Sequence, residues 1–266
     1  MFFSLAAGWS FSEDDFLAAA EPLPRALLLD LFGTLVDFDP QALPMEEING
    51  RRVISSVNDL SGLLADFSLA PSAERFHEAI MEASLEIRKR VEKDHREVSS
   101  LQRFSRALEL AGMPGDRKEL AGELSRRHMR TIASVVSCPA ARLAALRRLA
   151  DEYPLALVSN FDEQETARGI LEREGLSVLF VASIISDDLG WRKPAPEIFR
   201  HAAKALGVSD KHCLHVGDSL RADIEGAVAC GMKAVWIGDL SGRGLAAGAE
   251  GELADVSELG KWLGLE

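Results

Sequence analysis

Short apolar runs that end on a polar or acidic residue recur along this chain, and they constrain its fold class more than any other feature. The first is Arg25–Asp30 (RALLLD), which runs into an acid and is followed by Gly33 and Thr34. A run too short for a helix, with turn residues directly behind it, predicts a buried strand entering a loop. Leu155–Val158 (LALV), Ala182–Ile185 (ASII), Cys213–Val216 (CLHV) and Ala234–Ile237 (AVWI) repeat the pattern. Helical patterns lie between them. Ala140–Glu152 carries Leu143, Leu146 and Leu149, Pro196–Leu206 carries Ile198, Phe199 and Ala202, and Asp223–Gly231 is short and alanine-rich. Strands that alternate with helices predict an α/β fold, with a parallel sheet covered on both faces.

One interval breaks the alternation. More than a hundred residues separate the first strand from the second, far more than one crossover needs. Phe76, Ile80, Ala83, Ile87 and Val91 step by three or four, as do Leu101, Phe104 and Leu108; Gly112 and Pro114 end that helix, and Leu120, Leu124 and Ile132 mark another. Residues 40–135 are therefore expected to form an inserted helical subdomain. Residues 25–39 and 136–266 would form the core, and residues 1–24 an N-terminal extension that Trp9, Phe11 and Phe16 could pack against it. Gly238–Gly251 reads as a surface loop.

Composition narrows the partners. A formal charge of −12 over 266 residues disfavours nucleic acid, and an anionic substrate would need local cations or a metal. Arg88, Lys89, Arg90 and Lys93 cluster, but at a helical spacing that reads as a solvated face. No apolar run is long enough for a membrane span, and the opening MFFSLAAGWSFSEDD lacks the basic start of a secretory signal. Cys138, Cys213 and Cys230 show no metal-ligand spacing and read as small hydrophobic residues in a reducing cytoplasm. Oligomeric state has no signature in the sequence.

In an open α/β sheet, ligands bind beyond the carboxyl ends of the strands. Four strand ends here carry chemistry: Asp30 in DLFGT, Ser159 and Asn160 in VSNFD, Lys193 in WRKPAPEIF, and Asp218 in HVGDSLRAD. One acid at a strand end would be weak evidence, because many such acids only cap a helix; four reactive positions in order are not. Ser159 offers a hydroxyl, and the N–H of Asn160 lies beside it. Lys193 is a point charge able to offset developing negative charge. Thr34 and Gly33 shape the first turn. Asn160 reads as an orienter, Asp37 as a solvated acid, Arg192 and Arg221 as surface salt-bridge partners, and His215 as a hydrogen-bonded core histidine.

The ordered set DxxGT, [ST]N, KP and GDxxxxD resembles the four motifs of the haloacid dehalogenase-like hydrolase superfamily, from about Arg25 to Ile237. The insertion after the first motif resembles that superfamily's helical cap of the first type. The resemblance implies a Rossmann-like doubly wound core, Asp30 as nucleophile, and catalytic roles for Ser159 and Lys193. Thr34, Ser159, Asn160 and Lys193 would bind substrate. Mg²⁺ would be held by Asp30, Asp218 and the carbonyl of Phe32, with Asp223 as a further or alternative ligand; as a plain helix N-cap, Asp223 is equally well explained. The substrate implied is a small phosphorylated metabolite, hydrolysed through an aspartyl phosphate.

The sequence departs from the phosphatase pattern at Phe32, where the family's motif carries a second aspartate that protonates the leaving oxygen. An aromatic residue there resembles the metal-independent 2-haloacid dehalogenases. Asp218 argues the other way, since a carboxylate facing an anionic substrate requires a cation. The expectation is a Mg²⁺-dependent phosphatase, with a dehalogenase or a non-catalytic ligand-binding member as the alternatives.

Overall fold

The computed structural model describes residues 24–48, 50–57 and 59–265, so the N-terminal expectation for Trp9, Phe11 and Phe16 lies outside the described residues. The chain enters through β1 (Ala26–Leu29) and leaves the first turn into the two-residue β2 (Asp37–Phe38). A hairpin, β3 (Met45–Ile48) and β4 (Arg51–Ile54), opens the insertion. Helices Leu60–Ala65, Ala73–Asp94, Ser100–Leu110 and Lys118–Ser134 follow. The chain returns through β5 (Val136–Ser137), which pairs antiparallel with β2, so outgoing and incoming strands of the insertion run side by side. β6 (Leu155–Ser159), β7 (Ala182–Ile185), β8 (Cys213–Gly217), β9 (Lys233–Ile237) and β10 (Gly251–Leu253) complete the core.

Six of these strands form one sheet in the order β10-β9-β8-β1-β6-β7, and every pairing in it is parallel. Alternation along β1 explains why both faces are covered. Leu27 and Leu29 join a cluster with Leu146, Leu149 and Ile170, while Ala26 and Leu28 join another with Ile198, Phe199 and Ile224. Helices Ala140–Glu152 and Gln164–Arg173 thus cover one face, and Pro196–Ala205 with the turn beyond β8 covers the other. Pro196 starts its helix in the first turn, where its missing N–H costs nothing.

The insertion has its own apolar centre, where Phe76, Phe104, Leu108, Leu120 and Leu124 are buried and the rings of Phe76 and Phe104 stack at 6.4 Å. A capping box, Ser99 with Gln102, sets the start of Ser100–Leu110. The insertion is mainly helical, and the hairpin is an element that its helical pattern does not announce. Met45, Glu46, Glu47, Arg51 and Arg52 leave little apolar alternation to read, and Ile48 is the buried hydrophobic residue of the ribbon. The Gly238–Gly251 segment is also not loop throughout: Arg243–Ala246 is a helical turn, and Gly251 begins β10. Among the described residues, no helix is long and apolar enough to cross a membrane.

Leu28 is fully buried in a central strand. Leu28→Ala is expected to destabilise the protein by about 2–5 kcal/mol, read as a lowered urea midpoint with an unchanged slope. Val178→Ala, at a position 86% exposed, should stay within about 0.5 kcal/mol of the parent.

Candidate active site

Parallel pairing in register brings the sheet's carboxyl ends together. Leu29 lies opposite both Leu157 and Val216, and the Asp30 N–H continues the ladder by donating to the Val216 carbonyl at 3.0 Å. Asp30 therefore leaves β1 between the ends of β6 and β8. One carboxylate oxygen each from Asp30, Asp218 and Asp223 lie within 4.8 Å of one another. Two glycines allow this crowding. Gly33 has φ +76°, and a Cβ there would collide with the Asp218 carboxylate; a Cβ on Gly217 would collide with that of Asp223.

Lys193 reaches into this acidic cluster from the loop after β7. Its buried ammonium donates to Asp30 Oδ1 at 2.5 Å and to the Val158 carbonyl at 2.7 Å, and lies 2.7 Å from Asp223 Oδ1. All three ammonium protons thus have acceptors. Asn160 fixes the lysine's backbone. Its Nδ2 donates to the Lys193 carbonyl at 3.0 Å, and its Oδ1 accepts from the Lys193 N–H at 2.7 Å. That pairing matches the reading of Asn160 as an orienter. The Lys193–Pro194 peptide bond is cis.

Behind the cluster, His215 Nε2 donates to Asp223 Oδ1 at 2.9 Å. His215 is the buried, hydrogen-bonded histidine expected, but its partner is a residue of the acidic cluster. Asp223 is not the N-cap of its helical turn. Ser219 takes that place, accepting from the Ala222 N–H at 3.2 Å, while Asp223 Oδ2 accepts from the Ser219 N–H at 2.9 Å. Ser159 closes β6 and is buried, and Thr34 Oγ1 is buried without a hydrogen-bond partner.

These contacts separate the acids electrostatically. Burial pushes the Asp30 carboxyl up to about 7, with the Lys193 ammonium opposing it and the neighbouring carboxylates assisting. Burial also acts upward on Asp223, but Lys193 and His215 outweigh it and hold Asp223 below the usual carboxylate range. Burial and Asp223 together raise Asp218. Burial would lower Lys193, yet Asp223 and Asp30 carry it above its ordinary value, so it is charged at neutral pH.

A cleft of about 570 Å³ opens above Asn160 and Lys193, between the core and helix Ala73–Asp94 of the insertion. The segment between Asp94 and Ser100 ties its two walls together. Arg192 Nη1 donates to Glu97 Oε1 at 2.7 Å, and the other Glu97 oxygen accepts from Ser186 Oγ. Arg103 meets Asp162 at 2.9 Å, and the Ser100 N–H donates to the Asp162 carbonyl at 2.8 Å. Glu97, Arg103, Phe161, Asp162 and Ser186 escaped the sequence reading. Each pair spans tens of residues, so no spacing reports it. Arg192 is the salt-bridge partner expected. Arg221 is not: its Nη2 donates to the Glu92 carbonyl at 3.4 Å and has no carboxylate partner among the described residues. Arg88, Lys89, Arg90 and Lys93 are exposed, as a solvated face requires, and Arg88 also lines the cleft. Asp37 is exposed, as expected, and pairs with Arg142 at 2.7 Å. Phe32 stacks on Phe161, with centroids 5.2 Å apart and planes 13° from parallel.

A family model of haloacid dehalogenase-like hydrolases matches residues 24–231. The chain belongs to the haloacid dehalogenase-like hydrolases. A 5-amino-6-(5-phospho-D-ribitylamino)uracil phosphatase, YigB of Escherichia coli, is 28% identical over 81% of this chain and 85% of its own. The N-acylneuraminate-9-phosphatase of Mus musculus is 42% identical, over 38% of this chain and 40% of that enzyme, and the glyceraldehyde 3-phosphate phosphatase of Pyrococcus abyssi is 33% identical over 50% and 56%. The chain thus matches about two fifths to just over half of the length of these last two relatives. In fold it is similar to a 2-haloacid dehalogenase from Pseudomonas syringae, with TM-score 0.65, 23% identity and coverage of 91% of this chain and 99% of that one. It is similar also to YfnB of Bacillus subtilis bound to magnesium, with TM-score 0.60, 22% identity and coverage of 91% and 100%.

Because Asp30 is held above its unfolded value, folding favours its protonated form. The stability this group contributes is present below the unfolded value near 3.8 and is lost as pH rises toward about 7. Asp30→Asn removes that loss. Losing Asp30 also removes an acceptor from the buried Lys193 ammonium, so the test is the trend: with a chelator present, the variant's melting temperature relative to the parent's should rise as pH goes from 5 to 8. A gap that is constant with pH would show that Asp30 titrates normally.

Proposed function

We propose that the chain is a Mg²⁺-dependent phosphatase of small phosphorylated metabolites that works through an aspartyl phosphate on Asp30. The convergence of Asp30, Asp218 and Asp223 beside Lys193 carries this reading. Hard carboxylate oxygens in one cluster suit Mg²⁺, and three acids against one ammonium leave room for a divalent cation. Asp30, Asp218 and the carbonyl of Phe32 would hold it, with Asp223 as an adjoining acid. Mg²⁺, when bound, supplies positive charge between the attacking carboxylate and the phosphate oxygens. The phosphatase names of the sequence relatives support the same chemistry.

In the first half-reaction, an Asp30 carboxylate oxygen bonds to phosphorus while the bond from phosphorus to the leaving oxygen breaks. The leaving oxygen departs as an anion and takes its proton from solvent; water then attacks phosphorus, gives up a proton to solvent and breaks the bond from phosphorus to Asp30, which releases inorganic phosphate and the free carboxylate. Lys193 holds positive charge against Asp30 throughout, and Asn160 keeps the lysine's loop in place. Ser159 and the Asn160 N–H would hold a nonbridging oxygen, with Thr34 beside the nucleophile. Residues 40–135 would act as the cap that chooses the substrate.

Phe32 favours a second reading. It stacks on Phe161 where the phosphatase pattern places an acid, as the dehalogenase resemblance would have it. Rates of 4-nitrophenyl phosphate hydrolysis and of halide release from 2-chloropropionate, each with Mg²⁺ and with chelator, separate the two. The phosphatase reading expects Mg²⁺-dependent phosphate release that Asp30→Asn abolishes. Halide release that survives the chelator would replace it with the dehalogenase. Without a carboxyl at position 32, hydrolysis should depend steeply on leaving-group pKa. Phe32→Asp should raise the rate on an alkyl phosphate by about 10²-fold and leave an aryl phosphate nearly unchanged. A flat dependence in the parent protein would mean that another residue already supplies the proton.

A further inference from the structure

The chain carries a net charge of −12, yet the cleft above Lys193 concentrates cations. Three of these are already committed. Lys193 is held by Asp30 and Asp223, Arg103 by Asp162, and Arg192 by Glu97. Arg88 and Arg221 remain, and neither has a carboxylate partner among the described residues. They come from opposite walls: Arg88 from helix Ala73–Asp94 of the insertion, and Arg221 from the turn three residues after Asp218. Arg221 reaches the helix that carries Arg88, donating to the carbonyl of Glu92 one helical turn beyond it, and both side chains line the same cleft. Two acids share the lining: Asp162, which is held by Arg103, and Glu92, which meets Arg221 through its backbone oxygen.

The cleft also has room. About 570 Å³ is the size of pocket that takes a whole metabolite rather than one phosphate group. A phosphate beside Asp30 would occupy the floor near Lys193 and Asn160. The guanidinium groups of Arg88 and Arg221 line the same cleft outside the ion network of Lys193. Guanidinium suits this place because it presents a planar fork to a carboxylate or phosphate.

Building on the phosphatase reading, we infer that the substrate carries a second anionic group, a carboxylate or another phosphate, bound between Arg88 and Arg221. A ligand with acids at both ends would span core and insertion at once. These two arginines then select among phosphorylated metabolites, while Asp30 and Lys193 handle the phosphate common to all of them.

The test uses two matched pairs of probes with the full chain and Mg²⁺. Calorimetric binding of 4-carboxybenzylphosphonate is compared with that of benzylphosphonate, and turnover of 4-carboxyphenyl phosphate with that of phenyl phosphate. The carboxylated member should win by about tenfold in affinity, and in kcat/KM chiefly through KM. In Arg88→Gln and Arg221→Gln the preference ratio should fall toward one, and bis-phosphonate competition should weaken in parallel if a second phosphate serves as well as a carboxylate. Arg221→Lys should restore part of the ratio, which a purely structural role would not do. Equal binding of the two phosphonates by the parent protein, or a ratio that survives both Gln substitutions, would overturn the inference. Selective phosphonate binding without any turnover would instead sink the phosphatase reading and leave the second-anion site standing.

Discussion

The Lys193 ammonium sits where three parts of the chain meet, and much of the local structure can be understood as what is needed to keep it there. Taking a charge out of water costs several kcal/mol unless its hydrogen bonds are replaced and an opposite charge lies close. Asp30 from the end of β1, Asp223 from the turn after β8 and the Val158 carbonyl of β6 supply both requirements. None of these partners is near Lys193 in sequence, so the ion network can form only when the parallel sheet is in register. Asn160 adds a bidentate amide clamp on the lysine's own peptide group, which makes the position of the charge a property of the backbone. His215 extends the network into the core through Asp223, with its other face against Phe199.

This arrangement is stable but not balanced. One ammonium serves three carboxylates, and their responses diverge: Asp223 is held ionised while Asp30 is pushed toward neutrality. Asp223 has the better position, with two cationic or polar donors on one oxygen, so it absorbs most of the lysine's charge. Asp30 is then left as a buried acid whose proton is easily exchanged near neutral pH. A cation bound at this cluster would have to displace that proton, so its affinity would rise with pH through the range in which Asp30 titrates.

How much of this was readable beforehand depended on the range over which each signal acts. β1, β6, β7, β8 and β9 announce themselves through local apolar runs bounded by turn residues, and the three long helices of the insertion through their periodicity. The four motif residues could be placed at one edge of the sheet because the strand ends that carry them are local features. The hairpin Met45–Ile54 was illegible because its strands are charged and bury little. Glu97 with Arg192, and Arg103 with Asp162, were illegible for a different reason. An arginine and an acid tens of residues apart look like ordinary surface charges until folding brings two walls together. Asp223 lay between these cases. Its spacing from Asp218 was visible, but the choice between helix cap and cluster member turned on Ser219, whose hydroxyl takes the capping role and frees the carboxylate for Lys193.

Phe32 sets the remaining constraint on the chemistry. Its ring lies almost parallel to that of Phe161, and the two form an apolar wall beside a cluster otherwise made of charges. Such a wall cannot give a proton to a departing oxygen, so a poor leaving group would have to depart as an alkoxide into a low-dielectric pocket, the least favourable product the site could form. An aryl or acyl leaving group spreads its charge internally and escapes that penalty. Under the phosphatase reading, the absence of an acid at position 32 favours substrates whose leaving group is already stable as an anion. On that reading the position that departs from the family's phosphatase pattern would narrow the range of phosphate esters without touching Asp30.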